Sequence, residues 1–317
     1  MNVVDLFCGC GGLSLGFETA GFNVVAGYDN WTAAISVYKE NFNHPINQID
    51  LANVEEASKH ISAYEPDMII GGPPCQDFSS AGLRNEDNGR GNLTLCYAEI
   101  ISKIHPEWFV MENVATIIKT NKLIGAKEIF KAAGYGLTQI VLNAALCGVP
   151  QKRKRFFLIG KLGAENDFIL PYILQNLAKK EMTVKDYFGD KIDIEYYYRH
   201  PRSYARRGVF SVNEPSPTIR GVNRPIPAGY PIHANDPVES LEHIRPLTTK
   251  ERSMIQTFPE SYHFIGSKSE IEQMIGNAVP VNLGKFVATA IKDYIGKRPL
   301  SASVAKFNQP SLFSFED

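Results

Sequence analysis

The chain has 317 residues, 44% hydrophobic and 21% charged, with a formal net charge of −1. Those fractions exclude a disordered or fibrous polypeptide and fit one large folded domain or two ordinary ones. A net charge near zero gives no global sign of a polyanionic partner, so any nucleic-acid face must be a local basic patch.

The longest apolar runs fall short of a bilayer span, and the opening NVVDLF is strand-like rather than signal-like. The expectation is a cytoplasmic protein with no membrane partner. The cysteines, Cys8, Cys10, Cys75, Cys96 and Cys147, are odd in number and scattered, which suits free thiols in a reducing compartment. Cys8-x-Cys10 has no matching Cys/His pair, so no metal site is expected.

Asn2 to Phe7 reads as a strand running into Cys8-Gly9-Cys10-Gly11-Gly12. A helical pattern follows, with Leu13, Phe17 and Ala20 on one face. Strand, glycine loop and helix open a Rossmann-like unit. Its glycines let the backbone approach a ligand, and its helix N-terminus favours polar or anionic groups. Ser14 stands where the third glycine of G-x-G-x-x-G would be, which weakens a dinucleotide reading. Phe22 to Tyr28 is a second strand, tipped by Asp29. An acid there suits ribose hydroxyls and implies a nucleoside-containing cofactor, nicotinamide-based or S-adenosylmethionine. Asp29 equally suits the N-cap of a helix over Trp31 to Glu40. Ile46 to Ile49 ends at Asp50, a second polar tip or a plain turn residue.

Asp67-Met68-Ile69-Ile70 reads as the end of a buried strand. Gly71-Gly72 then release the backbone and Pro73-Pro74 stiffen it before Cys75. Open α/β sheets bind ligands in such loops, which makes Cys75 a candidate nucleophile. A cysteine taken alone is more often a packing residue. Ser80 to Asn92 is polar and glycine-rich, long enough for a lid. A helix is expected over Leu93 to His105. Trp108 to Met111 is a buried strand ending at Glu112-Asn113-Val114, which puts a carboxylate at a strand tip or in an exposed loop. Lys122 to Ala133 reads as helix and Gly136 to Ala144 as strand. In Gln151-Lys152-Arg153-Lys154-Arg155 the period of two places Gln151, Arg153 and Arg155 on one side. That is an edge for an anion or a carbonyl, or a solvated basic strand end.

After Gly160 prolines and tyrosines increase and the periodicity breaks. Arg199, His200, Arg202, Arg206, Arg207, Arg220 and Arg224 cluster here with Glu214 the only acid among them, interleaved with Tyr196, Tyr197, Tyr198 and Tyr204. Arginine forks suit phosphate oxygens and guanine edges, so a nucleic-acid face is favoured over a solvated surface. Arg245 to Phe258 and Val281 to Ile295 read as helices, and the tail from Pro299 as loosely ordered.

In this order, DLFCGCGGLSLGFE, GGPPCQDFS, RGNL, ENV, QKRKR, RPLTTKERSMIQTFP and QMIGNAVP resemble the DNA cytosine-5 methyltransferases, over nearly the whole chain outside Leu162 to about Arg207. The resemblance implies an α/β, Rossmann-like S-adenosylmethionine-dependent methyltransferase sheet with a smaller, irregular target-recognition domain. It divides the chain into a catalytic and cofactor-binding part (1–165), a target-recognition part (166–262) and a C-terminal segment returning to the first (263–317). It further implies a bacterial restriction-modification enzyme methylating C5 of a flipped cytosine in double-stranded DNA, acting as a monomer beside a cognate restriction endonuclease.

Under that resemblance Cys75 adds to C6, Glu112 holds N3 and the exocyclic amine, and Arg155 holds O2. Arg153 and Gln151 hold phosphate or order the site. Phe7 lies against the adenine, and Gly9, Gly11, Gly12 and Leu13 surround the methionine part. Asp29 binds the ribose with Asn30 beside it, and Asp50 with Leu51 meets the adenine. Pro74, Leu93, Asn277 and Val279 close the pocket. Asn30 stands where some members of the family carry an aromatic. Ser79, Arg90, Arg199, Arg202, Arg206, Arg207, Thr218 and Arg220 meet the DNA, with bases read near Tyr196 to Arg207. A tRNA cytosine-5 methyltransferase is the near alternative. A nicotinamide-dependent oxidoreductase and a non-enzymatic DNA-binding regulator are the distant ones.

Overall fold

Short apolar, β-branched runs with a period of two bury both faces of one sheet, as parallel strands must. The structure, a computed structural model, describes residues 1–74, 93–203 and 205–301. The first part runs β1 (Asn2–Leu6), α1 (Gly12–Thr19), β2 (Asn23–Tyr28), α2 (Thr32–Asn41), β3 (Ile46–Asn47), α3 (Val54–Ser62) and β4 (Met68–Gly71). It continues with α4 (Leu93–Ile104), β5 (Trp108–Val114), α5 (Asn121–Ala132), β6 (Tyr135–Asn143), β7 (Gln151–Lys152) and β8 (Lys154–Leu162).

Seven of these strands form a sheet in the order β3-β2-β1-β4-β5-β8-β6. β1 through β5 pair in parallel, and β8 runs antiparallel to both its neighbours. The winding reverses between β1 and β4, the position where such sheets take ligands. Alternation along the strands feeds two cores. Val3, Met68, Ile70, Trp108 and Val110 face one side. Val4, Leu6, Ile69, Phe109 and Met111 face the other, against Ile61, Tyr97, Ile101 and Phe130.

The second part runs α6 (Leu170–Asn176), α7 (Val184–Phe188), β9 (Tyr196–Tyr198), β10 (Val209–Ser211), β11 (Ser216–Pro217), α8 (Thr249–Ile255), α9 (Lys268–Asn277) and α10 (Val281–Ile295). β9 and β10 form a small antiparallel pair, while β11 pairs in parallel with β7, Ser216 opposite Gln151. A core of its own joins Val184, Phe188, Tyr197, Phe210, Ile219, Leu247, Ile255 and Ile275. Phe258, Tyr262, Met274 and Val281 pack with Cys8, Cys10 and Phe42, so the chain is back on the glycine loop before residue 263. α10 completes the face built on Leu13 and Phe17 with Leu283, Val287 and Ile291.

Two boundaries differ from the sequence reading. The helix expected from Arg245 starts at Thr249, where Thr248 and Glu251 form a capping box that satisfies the free amides of the first turn. The strand expected to carry Gln151, Arg153 and Arg155 on one side is broken at Arg153, because β7 pairs with β11 while β8 pairs with β5 and β6. Helices α3 and α9 were not anticipated. Among the described residues no helix is long and apolar enough to cross a membrane.

Candidate active site

β1 ends in a loop of left-handed residues: Phe7 at φ 57°, Gly9 at 55° and Gly11 at 84°. Glycine adopts this region freely, but Phe7 is held in it at a cost, as residues at ligand sites often are. Gly11 caps α1 with no side-chain bond, so the first amides of that helix stay available to an acceptor. The C-terminal segment supports the loop from behind. Tyr262 Oη donates to Cys10 O, and Val279 O approaches Gly12 so closely that a Cβ there would lie 2.2 Å away.

Asp29 ties the tip of β2 to this loop. Its Oδ2 accepts the Gly9 amide and its Oδ1 the Trp31 amide, both at 2.8 Å. Each carboxylate oxygen retains acceptor capacity for a hydroxyl. Asp50 is exposed and accepts the Ala52 amide at 3.0 Å, a turn contact. Leu51 is buried, Phe7 half-buried and Asn30 exposed. The Leu13 side chain lies in the core beside Phe17, which leaves its backbone for a ligand. Asn277 is exposed at the end of α9, and Val279 is half-buried next to Gly12. Pro74 is exposed, and Leu93, half-buried, opens α4.

The second half of the site lies at the tip of β5. Glu112 is 8% exposed, and its Oε1 takes Arg155 Nε at 3.0 Å. Burial pushes the Glu112 carboxyl above its ordinary value, against the pull of Arg155 and then Arg153. The carboxyl is thus biased towards its neutral, proton-donating form, while an arginine stays cationic. The next residue, Asn113, is buried and donates from Nδ2 to Pro73 O at 2.8 Å. Its Oδ1 accepts the Val114 amide. Gly72 is close enough that a Cβ on it would lie 3.1 Å from Glu112 Oε2. The Gly72-Pro73-Pro74 segment is therefore pinned beside Glu112, one residue before Cys75. Cys75, Ser79 and Arg90 lie outside the described residues.

Gln151 and Arg153 do not form an outward edge with Arg155. Both are buried, at 0% and 1% exposure. Gln151 bonds Gln256 and the Ile219 amide. Arg153 bonds the carbonyls of Ile219, Gly276 and Ala278. A phosphate cannot reach either group, so that part of the expectation is corrected; ordering the site is the role their partners fit.

The basic cluster is partly self-absorbed. Arg207 is paired with Glu214 and lies over the Phe210 ring at 4.4 Å. Arg199 donates to Thr218 O at 2.9 Å and Arg220 to His200 O. Thr218 Oγ1 donates to Lys152 O at 2.8 Å. Burial, then repulsion from neighbouring arginines, lowers the affinity of Arg199 and Arg220 for their protons. Arg202, Arg206 and Arg224 are exposed. Such exposed positive charge suits a polyanion. Tyr197 and Tyr198 are core residues of β9, which removes them from base reading; Tyr204 lies outside the described residues.

Sequence reading missed Asn113, Gln256 and Tyr262. Asn113 sat in plain view beside Glu112. Gln256 and Tyr262 carried no local signal, since Gln151 and Cys10, which they bond, are more than a hundred positions away.

Comparison with known proteins agrees with this geometry. The family model of C-5 cytosine-specific DNA methylases matches residues 1–293. The chain is 59% identical to the type II methyltransferase M.HindV of Haemophilus influenzae, covering 93% of this chain and 97% of that protein. It is 55% identical to the type II methyltransferase M.HgiDI of Herpetosiphon aurantiacus, covering 94% and 96%. The crystal structure of the S. pombe Dnmt2 methyltransferase shares the fold at a TM-score of 0.68 and 17% identity, covering 94% of this chain and 98% of that one. With a glycine loop backed by Val279, and an acid–arginine pair beside the Gly-Pro-Pro segment, the chain belongs to the C-5 cytosine-specific DNA methylases.

Proposed function

We propose that this enzyme methylates C5 of a flipped-out cytosine within a short double-stranded DNA sequence, as the modification half of a type II restriction-modification pair. The observation that carries the reading is the Glu112–Arg155 pair at the tip of β5, with Asn113 holding Pro73 just before Cys75.

The glycine loop fits S-adenosylmethionine. A Cβ on Gly9 would meet nothing within 4 Å, so the loop has an open side. The uncapped amides of α1 suit a carboxylate, and Asp29 has acceptor capacity for ribose hydroxyls. Phe7, Asp50 and Leu51 would border the adenine, and Asn277 and Val279 the far wall. When bound, this cofactor supplies an electrophilic methyl group.

The chain's own residues supply the rest. The Cys75 sulfur forms a bond to C6, and the C5=C6 π pair shifts to make C5 an enamine carbon. Glu112, its carboxyl pushed up by burial, donates a proton towards N3 as charge develops there. Arg155 orients Glu112 and offers its remaining donors to O2. C5 then forms its bond to the methyl carbon with the enamine pair as the methyl–sulfonium bond breaks, that bond's electron pair staying on the departing sulfur. A base removes the C5 proton, C5=C6 re-forms, and Cys75 leaves as thiolate. The base must leave the stack for sulfur to reach C6. Arg202, Arg206 and Arg224 would bind DNA phosphates, and Thr218 and Arg220, tied to neighbouring carbonyls, would lie along the same DNA side. A monomer working in the cytoplasm beside a cognate endonuclease completes the proposal.

The test is mechanism-based trapping. Bisulfite sequencing of DNA from expressing cells identifies the modified cytosine. A duplex with 5-fluorocytosine there should give a complex that survives denaturation, because fluorine cannot leave as the proton does. Trapping that persists in Cys75→Ala refutes the assignment.

A further inference from the structure

The segment on the proposed DNA side, residues 216–221, lies against the end of α9 and the residues after it. A Cβ on Gly276 would sit 2.2 Å from Gly221 N, so the two backbones touch. Buried side chains then lock them together. Gln151 Oε1 accepts the Ile219 amide at 2.9 Å, and Arg153 donates to Ile219 O at 3.0 Å. Arg153 also donates to Gly276 O and Ala278 O, at 2.9 and 3.1 Å. Gln256 Nε2 donates to Ile275 O and, at 3.1 Å, to Ala278 O. Gln151 Nε2 closes the circuit to Gln256 Oε1 at 2.7 Å.

The pattern of gripped positions is informative. The locks fall on 219 and on 275, 276 and 278. Thr218 and Arg220, on the proposed DNA side, flank the first. Asn277 and Val279, on the proposed cofactor side, alternate with the others. Gln151 and Gln256 are wholly buried, so neither carboxamide can exchange its partner for water, and breaking one bond orphans a buried group. A displacement of either segment must therefore move the other or break this network.

We propose that Gln256 is a positioning residue that couples DNA binding at residues 218–220 to cofactor binding at residues 277–279, each ligand strengthening the other. The proposal rests on the function proposed above. Whichever ligand binds first fixes the shared block, and the second then binds a block already ordered. Coupling of this kind is reciprocal, and typical factors lie between about 5-fold and 150-fold.

The experiment measures the dissociation constant of S-adenosylhomocysteine by calorimetry, with and without saturating target duplex, at one fixed salt concentration. The wild-type enzyme should bind it at least about 5-fold more tightly with DNA present. Gln256→Met keeps the volume and removes the carboxamide. Its coupling should fall below about 2-fold, while affinity for S-adenosylhomocysteine alone changes less than about 5-fold, a split that general loosening would not give. Gln151→Met should behave alike. A folded Gln256→Met with intact coupling, or a wild-type factor of one, overturns the proposal. If the variants do not fold, hydrogen exchange in the wild type decides. S-adenosylhomocysteine alone should slow exchange of the Ile219 amide, and an unchanged rate overturns the proposal. No binding of S-adenosylhomocysteine to the wild type overturns the function reading instead.

Discussion

Asn113→Ala separates placement of the nucleophile loop from general stability. Asn113 makes two side-chain bonds, to Pro73 O and to the Val114 amide, both at 2.8 Å. Val114 is exposed, so its amide regains a water partner. Pro73 is buried, and its carbonyl loses a donor with no replacement. One orphaned buried group costs about 1–3 kcal/mol, which sets the expected loss in urea-induced unfolding. The kinetic loss should be larger than this cost implies, because Pro73 stands two residues before Cys75 and its carbonyl is no longer tied to the strand carrying Glu112. A misplacement of about 1 Å at reacting groups costs on the order of 100-fold. Single-turnover methyl transfer, with cofactor and DNA both saturating, should therefore slow about 10-fold to 100-fold while both affinities stay within a few-fold. A variant destabilised as expected but reacting at the wild-type rate would show that the Asn113–Pro73 bond is only a brace.

Gly72→Ala places a methyl 3.1 Å from Glu112 Oε2. Its thermal midpoint should hold or rise, since alanine restricts the unfolded chain, while kcat/KM falls; equal kcat/KM refutes the crowding. Asp5→Asn tests a buried acid beneath the glycine loop. Burial pushes the Asp5 carboxyl up to about 8, with Ser14 donating to it at 2.5 Å. A raised folded value means the fold binds a proton that the unfolded chain has released, so the contribution of Asp5 to stability is greatest at low pH and declines until about pH 8. Denaturation at pH 5, 6.5 and 8 should show a shallower decline in Asp5→Asn, and parallel curves refute it. Arg202→Ala should lower DNA affinity for all sequences and reduce the salt slope by about one. Arg207→Ala, whose charge Glu214 already neutralises, should change the slope less; equal slopes refute the distinction.

Legibility followed the range of the interactions. α10 was read at its full extent, Val281 to Ile295, because its apolar residues repeat at the helical period along one buried face. β1, β4 and β5 were legible because strands buried on both faces are largely apolar runs, β1 interrupted at the buried Asp5. α9 was overlooked for its polar composition, although Ser267-x-x-Glu270 is a capping box in plain sequence. In the candidate site, Glu112 and Asp29 stood out because an acid after an apolar run is conspicuous. The pairing of Glu112 with Arg155 was not readable, since it depends on which strands become neighbours. Gln151 and Arg153 misled for the same reason. The period of two holds only within one continuous strand, and pairing with β11 ended that strand at Lys152.

The reversed direction of β8 has a consequence for anyone moving this chemistry to another scaffold. Arg155 is the second residue of its strand and Glu112 the fifth of seven in the neighbouring one. They meet only because antiparallel neighbours place the start of one strand at the end of the other, Val114 opposite Arg155. In a wholly parallel sheet whose strands start level, the same two positions would stand roughly 10 Å apart along the strands, at about 3.3 Å per residue. A designer grafting the pair onto an all-parallel barrel would have to bring the guanidinium in from a loop. That loop would have to be as stiff as the strand it replaced.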